Sequence, residues 1–407
     1  MSELLVFIGR PYTRFSDNLK YAFLSYLEYG SEFEPVYVTG DSSEFQLLET
    51  AGLPVIHYES DRDLLDLSHR IGLVVSDSHD WRANRHTYNA LYKSPFINLW
   101  HGLPLKRVGL FTMFREDKEF DRALYASIVS TGADAYVSTS DRVTEDIWKK
   151  SFHALDYPKL GYARNDVLFR DARKLELLNV DGTTSLKMKA AKAQGKKVAI
   201  YCPTFRELEM GFSLNALGLD LEVLEQFCED NNMELHLKLH PIFPVQDIEG
   251  KYKNINVIDN KSDMYPLFRH SDVLITDYSS IFFDYLLLDR PIIHFAADLD
   301  SYRFRDRGFS YRFEDVRCGP VCSNLSSLMG QLARLEEGDK EYAQTRARVR
   351  NYMHELQDMD SGRRFVDYAD SNFASKGDEQ RRLSLETACS LQPIEEQVPA
   401  QTLGKCA

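Results

Sequence analysis

The segment from Ile275 to Phe295 places four polar residues, Asp277-Tyr-Ser-Ser280, between two apolar stretches. Two hydroxyls and a carboxylate are unfavourable to bury at such a junction unless a polar group lies against them. The second stretch has helical spacing, and the main-chain N–H groups at the start of a helix favour an anion. The junction therefore predicts a binding site in which Asp277, Ser279 and Ser280 face an anionic group such as phosphate.

Two histidines and an arginine also follow predicted strands directly. His101 comes after the strand at 96–100, Arg206 after the strand at 197–201, and His240 after the strand at 235–239. In open α/β sheets, ligands bind beyond the carboxyl ends of the strands. A guanidinium group binds phosphate oxygens through two parallel hydrogen bonds, and an imidazole N–H can donate to the same anion. We therefore expect Arg206 and His240 beside the serines, at the diphosphate of a nucleotide-linked donor.

His101 lies in the other half of the chain, where it is available as a base for an acceptor. An imidazole with an unperturbed pKa of about 6.5 takes up a proton near neutral pH. Gly102 follows it, and the missing side chain is expected to let an acceptor approach closely. The acceptor side of the same cleft is expected to include Ser16, Asp17, Asn18 and Lys106.

Each of these residues has a simpler interpretation when it is taken alone. A histidine at a strand end is usually a hydrogen-bonded structural residue, and the pair Ser279-Ser280 is typical of a helix N-cap. Arg206 lies close in sequence to Glu207 and Glu209, and it would form a surface ion pair with one of them. The recurrence of such residues after several strands, rather than any one of them, indicates a site.

Short apolar runs alternate with helical patterns along most of the chain, which predicts an α/β fold with parallel sheets covered on both faces. The alternation starts again after about residue 190, so we predict two doubly wound, Rossmann-like domains facing each other across a cleft. The predicted boundaries are an N-terminal acceptor domain over residues 1–170, a C-terminal nucleotide-donor domain over residues 171–374, and a disordered tail over residues 375–407.

The composition argues against several classes of protein. A net charge of −13 over 407 residues disfavours a nucleic-acid-binding surface and broad adhesion to anionic lipid. The six cysteines are scattered, which indicates free thiols in a reducing compartment. We expect no signal peptide, because Met1-Ser-Glu-Leu-Leu5 lacks a basic start and Gly9-Arg-Pro11 interrupts the apolar run. We expect no membrane span, because no apolar run approaches about 18 residues. We find no Asp-x-Asp cluster placed to hold Mg²⁺ and no glycine-rich nucleotide loop, so we predict no metal and no cofactor.

Five motifs occur in a fixed order along the chain. They are Asn98-Leu-Trp-His-Gly-Leu-Pro-Leu-Lys106, Gly161-Tyr-Ala-Arg-Asn-Asp166, Tyr201-Cys-Pro-Thr-Phe-Arg206, Leu239-His-Pro241 and Asp272-Val-Leu-Ile-Thr-Asp-Tyr-Ser-Ser-Ile-Phe-Phe-Asp284. This set resembles the CDP-glycerol:poly(glycerophosphate) glycerophosphotransferase family, known from teichoic acid and capsule polymer synthesis. The resemblance covers nearly the whole chain to about residue 370.

The resemblance implies a GT-B architecture and a metal-independent transfer of glycerol phosphate from CDP-glycerol, or a related CDP-polyol, with release of CMP. The acceptor would be a polyol-phosphate or glycan chain with a terminal hydroxyl. By motif position, the general base would be His101, the second essential histidine His240, the donor phosphate contacts Arg206, Ser279 and Ser280, and a further cleft residue Arg164.

Two positions depart from the family pattern, since Leu103 stands where threonine is usual and Ala163 where proline is common. Two alternatives therefore stay open. One is a GT-B glycosyltransferase that uses a nucleotide sugar for capsule or cell-surface polysaccharide, and the other is a non-catalytic partner that kept the fold. Whether the donor is a CDP-polyol or a nucleotide sugar, we expect a cytoplasmic protein, held peripherally at the inner face of the cell membrane through a lipid-linked acceptor.

Overall fold

The computed structural model describes residues 3–10, 14–58, 61–110, 132–204, 218–239, 248, 250–297 and 309–374. Thirteen strands occur within these ranges. They are β1 Leu4–Ile8, β2 Glu34–Thr39, β3 Val55–His57, β4 Ile71–Ser76, β5 Phe96–Asn98, β6 Ala133–Tyr136, β7 Ala154–Asp156, β8 Lys197–Cys202, β9 Met233–Leu237, β10 Ile255–Val257, β11 Val273–Thr276, β12 Ile292–Phe295 and β13 Val321–Cys322.

The strands form two parallel sheets, which confirms the predicted α/β class. The first sheet has the order β3-β2-β1-β4-β5-β6-β7, and the second has the order β10-β9-β8-β11-β12-β13. Every residue of β1 and of β11 is buried, as expected for central strands covered by helices on both faces. The strand order reverses direction at β1/β4 in the first sheet and at β8/β11 in the second, so each sheet has a switch point where a ligand crevice is expected.

Helices connect the strands and cover both faces of each sheet. Within the described ranges, the α-helices of four or more residues are α1 Asp17–Tyr29, α2 Ser42–Thr50, α3 Asp61–Asp66, α4 Arg85–Leu91, α5 Asp166–Phe169, α6 Gly182–Ala193, α7 Leu221–Asp230, α8 Tyr265–Phe268, α9 Ile281–Tyr285, α10 Phe313–Val316, α11 Leu325–Ala333, α12 Leu335–Met353 and α13 Ser361–Phe373. A helical segment with a π-turn at Thr144–Trp148 lies between β6 and β7.

The last helix of the described chain returns to the first sheet. The carboxylate of Asp166 accepts hydrogen bonds from the main-chain N–H groups of Ser361 and Gly362, at 3.0 and 2.9 Å. A Cβ atom at Gly362 would lie 2.1 Å from Oγ of Ser25, so α13 packs against α1 at a distance that only glycine allows. The chain after β13 therefore crosses back to the first sheet. The predicted tail at 375–407 lies outside the described residues.

A buried lysine joins α1 to the second half of the chain. Nζ of Lys20 lies 2.7 Å from the carboxylate of Asp263, and the hydroxyl of Tyr21 donates to the same oxygen at 2.7 Å. Lys20 also donates to the main-chain carbonyls of Glu176 and Leu178. A buried ammonium is tolerated only when its three donors are satisfied, as they are here. The segment before α8 is thus fixed against α1.

Candidate active site

A cavity of about 270 Å³ lies between the two sheets, beyond the carboxyl ends of their central strands. It is lined by residues from both halves of the chain, namely Ser16, Asp17, His101, Arg164, Ser262, Asp263, Met264, Tyr265, Ser279, Ser280 and Ile281. Six of these, Ser16, Asp17, His101, Arg164, Ser279 and Ser280, are predicted site residues, and the structure brings them together.

The serine pair lies at the start of α9, directly after the central strand β11. Ser280 occupies the N-cap position with helical backbone angles, and its hydroxyl makes no capping hydrogen bond. Neither serine hydroxyl bonds another of the described side chains, and both residues line the cavity. A simple capping role therefore does not account for Ser280, and both hydroxyls are available to a ligand.

Asp277 has a different environment from the one predicted. Its carboxylate is buried and accepts hydrogen bonds from the N–H and the hydroxyl of Thr204 and from the N–H of Ser279. Asp277 is not among the residues that line the cavity. Its predicted contact with phosphate stays a prediction. The carboxylate ties the loop after β8 to the serine turn.

His294, on the neighbouring strand β12, also contacts the turn that carries the serine pair. It is fully buried, its Nδ1 lies 3.1 Å from the carbonyl oxygen of Asp277, and its Nε2 accepts from the main-chain N–H of Cys318 at 3.3 Å. Burial lowers the pKa of His294 to about 4, against the opposing effect of Asp277. The ring is therefore neutral at pH 7, and both of its nitrogens are used by the fold.

His101 follows β5 and lines the cavity from the opposite side. Its Nδ1 lies 3.2 Å from the carbonyl oxygen of Asp77, which can only accept a hydrogen bond. Nδ1 therefore carries the proton and Nε2 is the basic nitrogen. The ring stacks on the indole of Trp100 with centroids 4.2 Å apart, which fixes its plane.

The basicity of His101 differs from the value assumed from sequence. Burial and the neighbouring Arg10, with a smaller contribution from Arg164, lower the pKa of His101 to about 3, although Asp17 and the Asp77 carbonyl act in the opposite direction. The imidazole is consequently unprotonated at pH 7 and able to accept a proton. It is a weaker base in the free protein than an unperturbed histidine.

The turn that carries His101 is strained and braced. Trp100 has a positive φ of 50°, which is unusual for a bulky residue. Its N–H donates to the side chain of Asn98 at 2.8 Å, and its carbonyl accepts from the side chain of Asn18 at 2.9 Å. Asn18 is buried and does not line the cavity. The structure places Asn18 behind the His101 turn, which its side chain holds in place, and its predicted role in the cleft stays a prediction.

Gly102 does not leave room for an acceptor. It has φ +136°, and a Cβ atom at this position would lie 2.8 Å from Nη2 of Arg164. The space that we expected to admit an acceptor is filled by the guanidinium of Arg164, which is almost wholly buried. Glycine is needed here because of backbone conformation and because Arg164 packs directly against the peptide.

Asp17 is ion-paired and poorly suited to act as a base. Burial alone would raise its pKa, but Arg164 and Arg10 overcome this effect and hold the pKa of Asp17 below its usual value. Arg10 lies 3.1 Å from Asp17 and 3.2 Å from Asp77. Burial raises the pKa of Asp77 to about 6, although Arg10 opposes the shift. These four groups form a row of alternating charges behind His101, in which Asp77 and Arg164 are buried and Arg10 and Asp17 are partly exposed.

Three predicted residues that the structure describes, Asp277, Asn18 and Lys106, do not line this cavity. Lys106 pairs through its main chain with Phe309 in an isolated antiparallel bridge and does not line the cavity. His240 and Arg206 lie outside the described residues. A larger cavity of about 560 Å³ is lined by Arg107 and residues 309–314, but it contains none of the predicted site residues. The smaller cavity is therefore the better candidate.

Sequence reasoning missed several residues of the site. Asp77 follows the central strand β4, so the rule that identified His101 and the serines applied to it as well. Asp284 interrupts the apolar run of α9, and a buried carboxylate there requires a cationic or donor partner. No comparable signal marked the segment Ser262–Tyr265.

Two further findings concern the described residues as a whole. No group of three or more His, Cys, Asp or Glu side chains among them is arranged to hold a metal ion. Within the same ranges, no helix has the length and apolar character needed to cross a membrane.

The fold and the two-sided cavity define a class of enzyme. The solved structure of the wall teichoic acid polymerase TagF matches 93% of this chain and 90% of its own, with a TM-score of 0.74 and 22% identity. This similarity confirms the predicted GT-B architecture.

A family model described as CDP-glycerol:poly(glycerophosphate) glycerophosphotransferase matches residues 1–369. The chain belongs to that family and is an enzyme of that transferase class.

Two curated relatives are similar over about two thirds of the chain. The teichoic acid glycerol-phosphate transferase of Staphylococcus aureus is 29% identical over 287 residues, which cover 67% of this chain and 71% of the relative. The teichoic acid poly(glycerol phosphate) polymerase of Staphylococcus epidermidis is 31% identical over 289 residues, which cover 66% of this chain but only 38% of that protein. The match thus spans well under half of the polymerase.

Proposed function

We propose that this protein transfers glycerol phosphate from CDP-glycerol to a terminal hydroxyl of a growing teichoic-acid-like or capsule polymer and releases CMP. Membership of the glycerophosphotransferase family supports the reaction class. The observation that carries the proposal is that His101, from the first sheet, and Ser279 and Ser280, from the second, line one cavity. A donor phosphate and an acceptor hydroxyl bound there would meet between them.

The donor diphosphate is held by the second half of the chain, residues 171–374. The hydroxyls of Ser279 and Ser280 donate to phosphate oxygens, and Asp277 and His294 keep the turn that carries them in place. Arg206 and His240 complete this set in the proposal. Hydrogen bonds to a charged phosphate are stronger than those between neutral groups, which suits a donor that carries two negative phosphates.

The first half, residues 1–170, holds the acceptor. Nε2 of His101 accepts the proton of the acceptor hydroxyl while the oxygen of that hydroxyl attacks the phosphorus that bears glycerol. A new oxygen–phosphorus bond forms, the diphosphate bond breaks, and its electron pair leaves with CMP. Because Nδ1 of His101 donates to the Asp77 carbonyl, the ring that receives the proton is fixed in orientation.

The negative phosphates of the bound donor should also raise the basicity of His101. An anion close to an imidazole favours its protonated form and thereby raises its pKa. The low pKa of about 3 in the free protein keeps the ring unprotonated before the donor binds. Donor binding then makes the same ring a better proton acceptor at the moment when the acceptor hydroxyl must be deprotonated.

The charge that develops on the leaving CMP is stabilised by Arg206, His240 and the serine hydroxyls, without a metal ion. Preorganised donors of this kind can supply several kcal/mol of transition-state stabilisation. EDTA is therefore expected to leave the transfer rate unchanged. Loss of activity in EDTA that is restored by Mg²⁺ or Mn²⁺ would contradict this part of the proposal.

The protein is proposed to act in the cytoplasm, peripherally at the inner face of the cell membrane. Its net charge of −13 disfavours direct adhesion to anionic lipid, so the lipid-linked acceptor would provide the attachment. Cosedimentation with anionic vesicles is expected only when the vesicles carry the acceptor. Equal binding to vesicles without acceptor would contradict attachment through the lipid-linked acceptor.

The donor is tested by product identity. The protein is incubated with CDP-glycerol, CDP-ribitol and UDP-sugars, each with and without a glycerol-phosphate oligomer as acceptor, and free CMP and UDP are measured. We expect CMP release that depends on CDP-glycerol and increases with acceptor. UDP release in place of CMP would support the nucleotide-sugar glycosyltransferase instead, and release of neither would favour a non-catalytic protein.

A further inference from the structure

Arg164 makes contacts that join the two halves of the site. Its Nη1 donates to the carbonyl oxygen of His101 at 2.9 Å and to the carboxylate of Asp17. Its Nη2 donates to the carboxylate of Asp284 at 2.5 Å. His101 and Asp17 belong to the first half of the chain, whereas Asp284 lies on α9, four residues after Ser280. One guanidinium therefore contacts both the His101 turn and the helix that follows the serine pair.

The contact is rigid and specific for a guanidinium. The side chain of Arg164 is 3% exposed and that of Asp284 is 1% exposed, so water does not weaken the pair. The rings of Tyr162 and Tyr265 lie 5.2 and 4.7 Å from the guanidinium carbon. A lysine ammonium is a point charge, and it cannot reach three acceptors in these fixed directions.

Asp284 is held in turn by uncharged donors. The hydroxyl of Tyr265 donates to one of its oxygens at 2.8 Å, and the side-chain amide of Asn165 donates to the other at 3.1 Å. Tyr265 itself lines the cavity. Asp284 is thus fully satisfied and cannot move toward a ligand without breaking contacts on both sides of the cleft.

The arrangement leaves Arg164 with little opportunity to bind a substrate. Two of its nitrogens are taken by two carboxylates and a carbonyl, and Gly102 packs against Nη2. From this geometry we infer that Arg164 and Asp284 are positioning residues, which set the distance between His101 and the Ser279-Ser280 turn. The inference rests on the proposed function, since it assigns His101 and the serines to one transfer step.

A positioning role has a kinetic signature that differs from that of a substrate contact. A misplacement of about 1 Å between reacting groups can lower the rate about 100-fold while leaving ground-state binding intact. Arg164→Lys is therefore expected to lower kcat by about 10- to 100-fold. The Kd for CDP-glycerol, measured in a His101→Asn background to prevent turnover, should change less than about threefold. Asp284→Asn keeps the shape of the side chain and should lower kcat in the same direction.

Arg346 provides a matched control. Its side chain is also 3% exposed and is paired with two aspartates, Asp339 and Asp289, but it does not line the cavity. Arg346→Lys should reduce thermal stability to an extent similar to Arg164→Lys and leave kcat unchanged. Added methylguanidine should partly restore kcat in Arg164→Ala, because it can occupy the vacated space between Asp17 and Asp284.

The outcomes separate the inference from the function on which it rests. If the wild-type protein releases no CMP from CDP-glycerol, both are overturned. If the wild type is active and Arg164→Lys retains its kcat, or loses no more than Arg346→Lys, the positioning role alone is overturned. If Arg164→Lys instead loses donor affinity by the same factor as kcat, Arg164 is a donor contact, and the positioning role is again overturned.

Discussion

Nδ1 of His101 lies 3.2 Å from the carbonyl oxygen of Asp77, and in the second half of the chain Nδ1 of His294 lies 3.1 Å from the carbonyl oxygen of Asp277. In each sheet a histidine on one strand, or just after it, holds the turn that follows the neighbouring strand. The two rings differ at Nε2. Nε2 of His294 accepts a hydrogen bond from the main-chain N–H of Cys318. The ring of His101, by contrast, lines the cavity. The hydrogen bond at Nδ1 is thus the same in both halves, but the ring of His294 has a structural role and the ring of His101 is available for chemistry.

The pH dependence of donor use follows from the environment of His101. Because its pKa is lowered to about 3, the ring stays unprotonated from pH 8 to pH 5, and kcat/KM for CDP-glycerol should not fall over this range. A histidine with a pKa of about 6.5 would instead lose about 30-fold in activity by pH 5. The measurement is kcat/KM against pH at saturating acceptor.

The titration of Asp77 must be distinguished from that of His101 in this experiment, because the pKa of Asp77, about 6, lies within the range tested. Asp77→Asn removes this titration and keeps the main-chain carbonyl that accepts from His101. An acidic limb near pH 6.5 that persists in Asp77→Asn would show that the His101 ring is not shielded as described.

The serine hydroxyls are expected to contribute to donor affinity. Ser279→Ala and Ser280→Ala should each weaken CDP-glycerol binding by about 10-fold or more, since a hydrogen bond to a charged group contributes about 1.5 to 3 kcal/mol. Titration calorimetry gives the affinities. Ser326→Ala, at an exposed position of α11, serves as the control and should bind normally. Unchanged affinity in both cavity variants would remove the serines from the donor site.

His294 should make the protein sensitive to acid. Its pKa is about 6.5 unfolded and about 4 folded, so the unfolded chain binds more protons below pH 6.5 and stability is lost as the pH falls toward 4. Between pH 7.5 and 4.5 the wild type should lose about 2 to 3 kcal/mol more unfolding free energy than His294→Gln. Urea unfolding at both pH values measures this difference. Equal losses would mean that the folded ring titrates normally.

The sequence allowed the sheets and much of the cavity to be predicted, because buried parallel strands are short apolar runs and ligands bind beyond their carboxyl ends. His101, Ser279 and Ser280 were found in this way. The partners of Arg164 were not, since Asp17 and Asp284 lie 147 and 120 residues away and spacing alone cannot pair them. The contacts of Asn18 with the Trp100 carbonyl and of Gly102 with Arg164 could not be predicted for the same reason. Each depends on a side chain or a carbonyl supplied by a distant segment.

The central claim, that His101 is the base at a shared site, is tested most directly by His101→Asn. Asparagine can still donate to the Asp77 carbonyl but has no basic nitrogen. Acceptor-dependent CMP release should fall by about 10² to 10⁴ in kcat, with the Kd for CDP-glycerol and the thermal midpoint close to those of the wild type. A folded variant that binds CDP-glycerol normally and transfers at the wild-type rate would contradict the account.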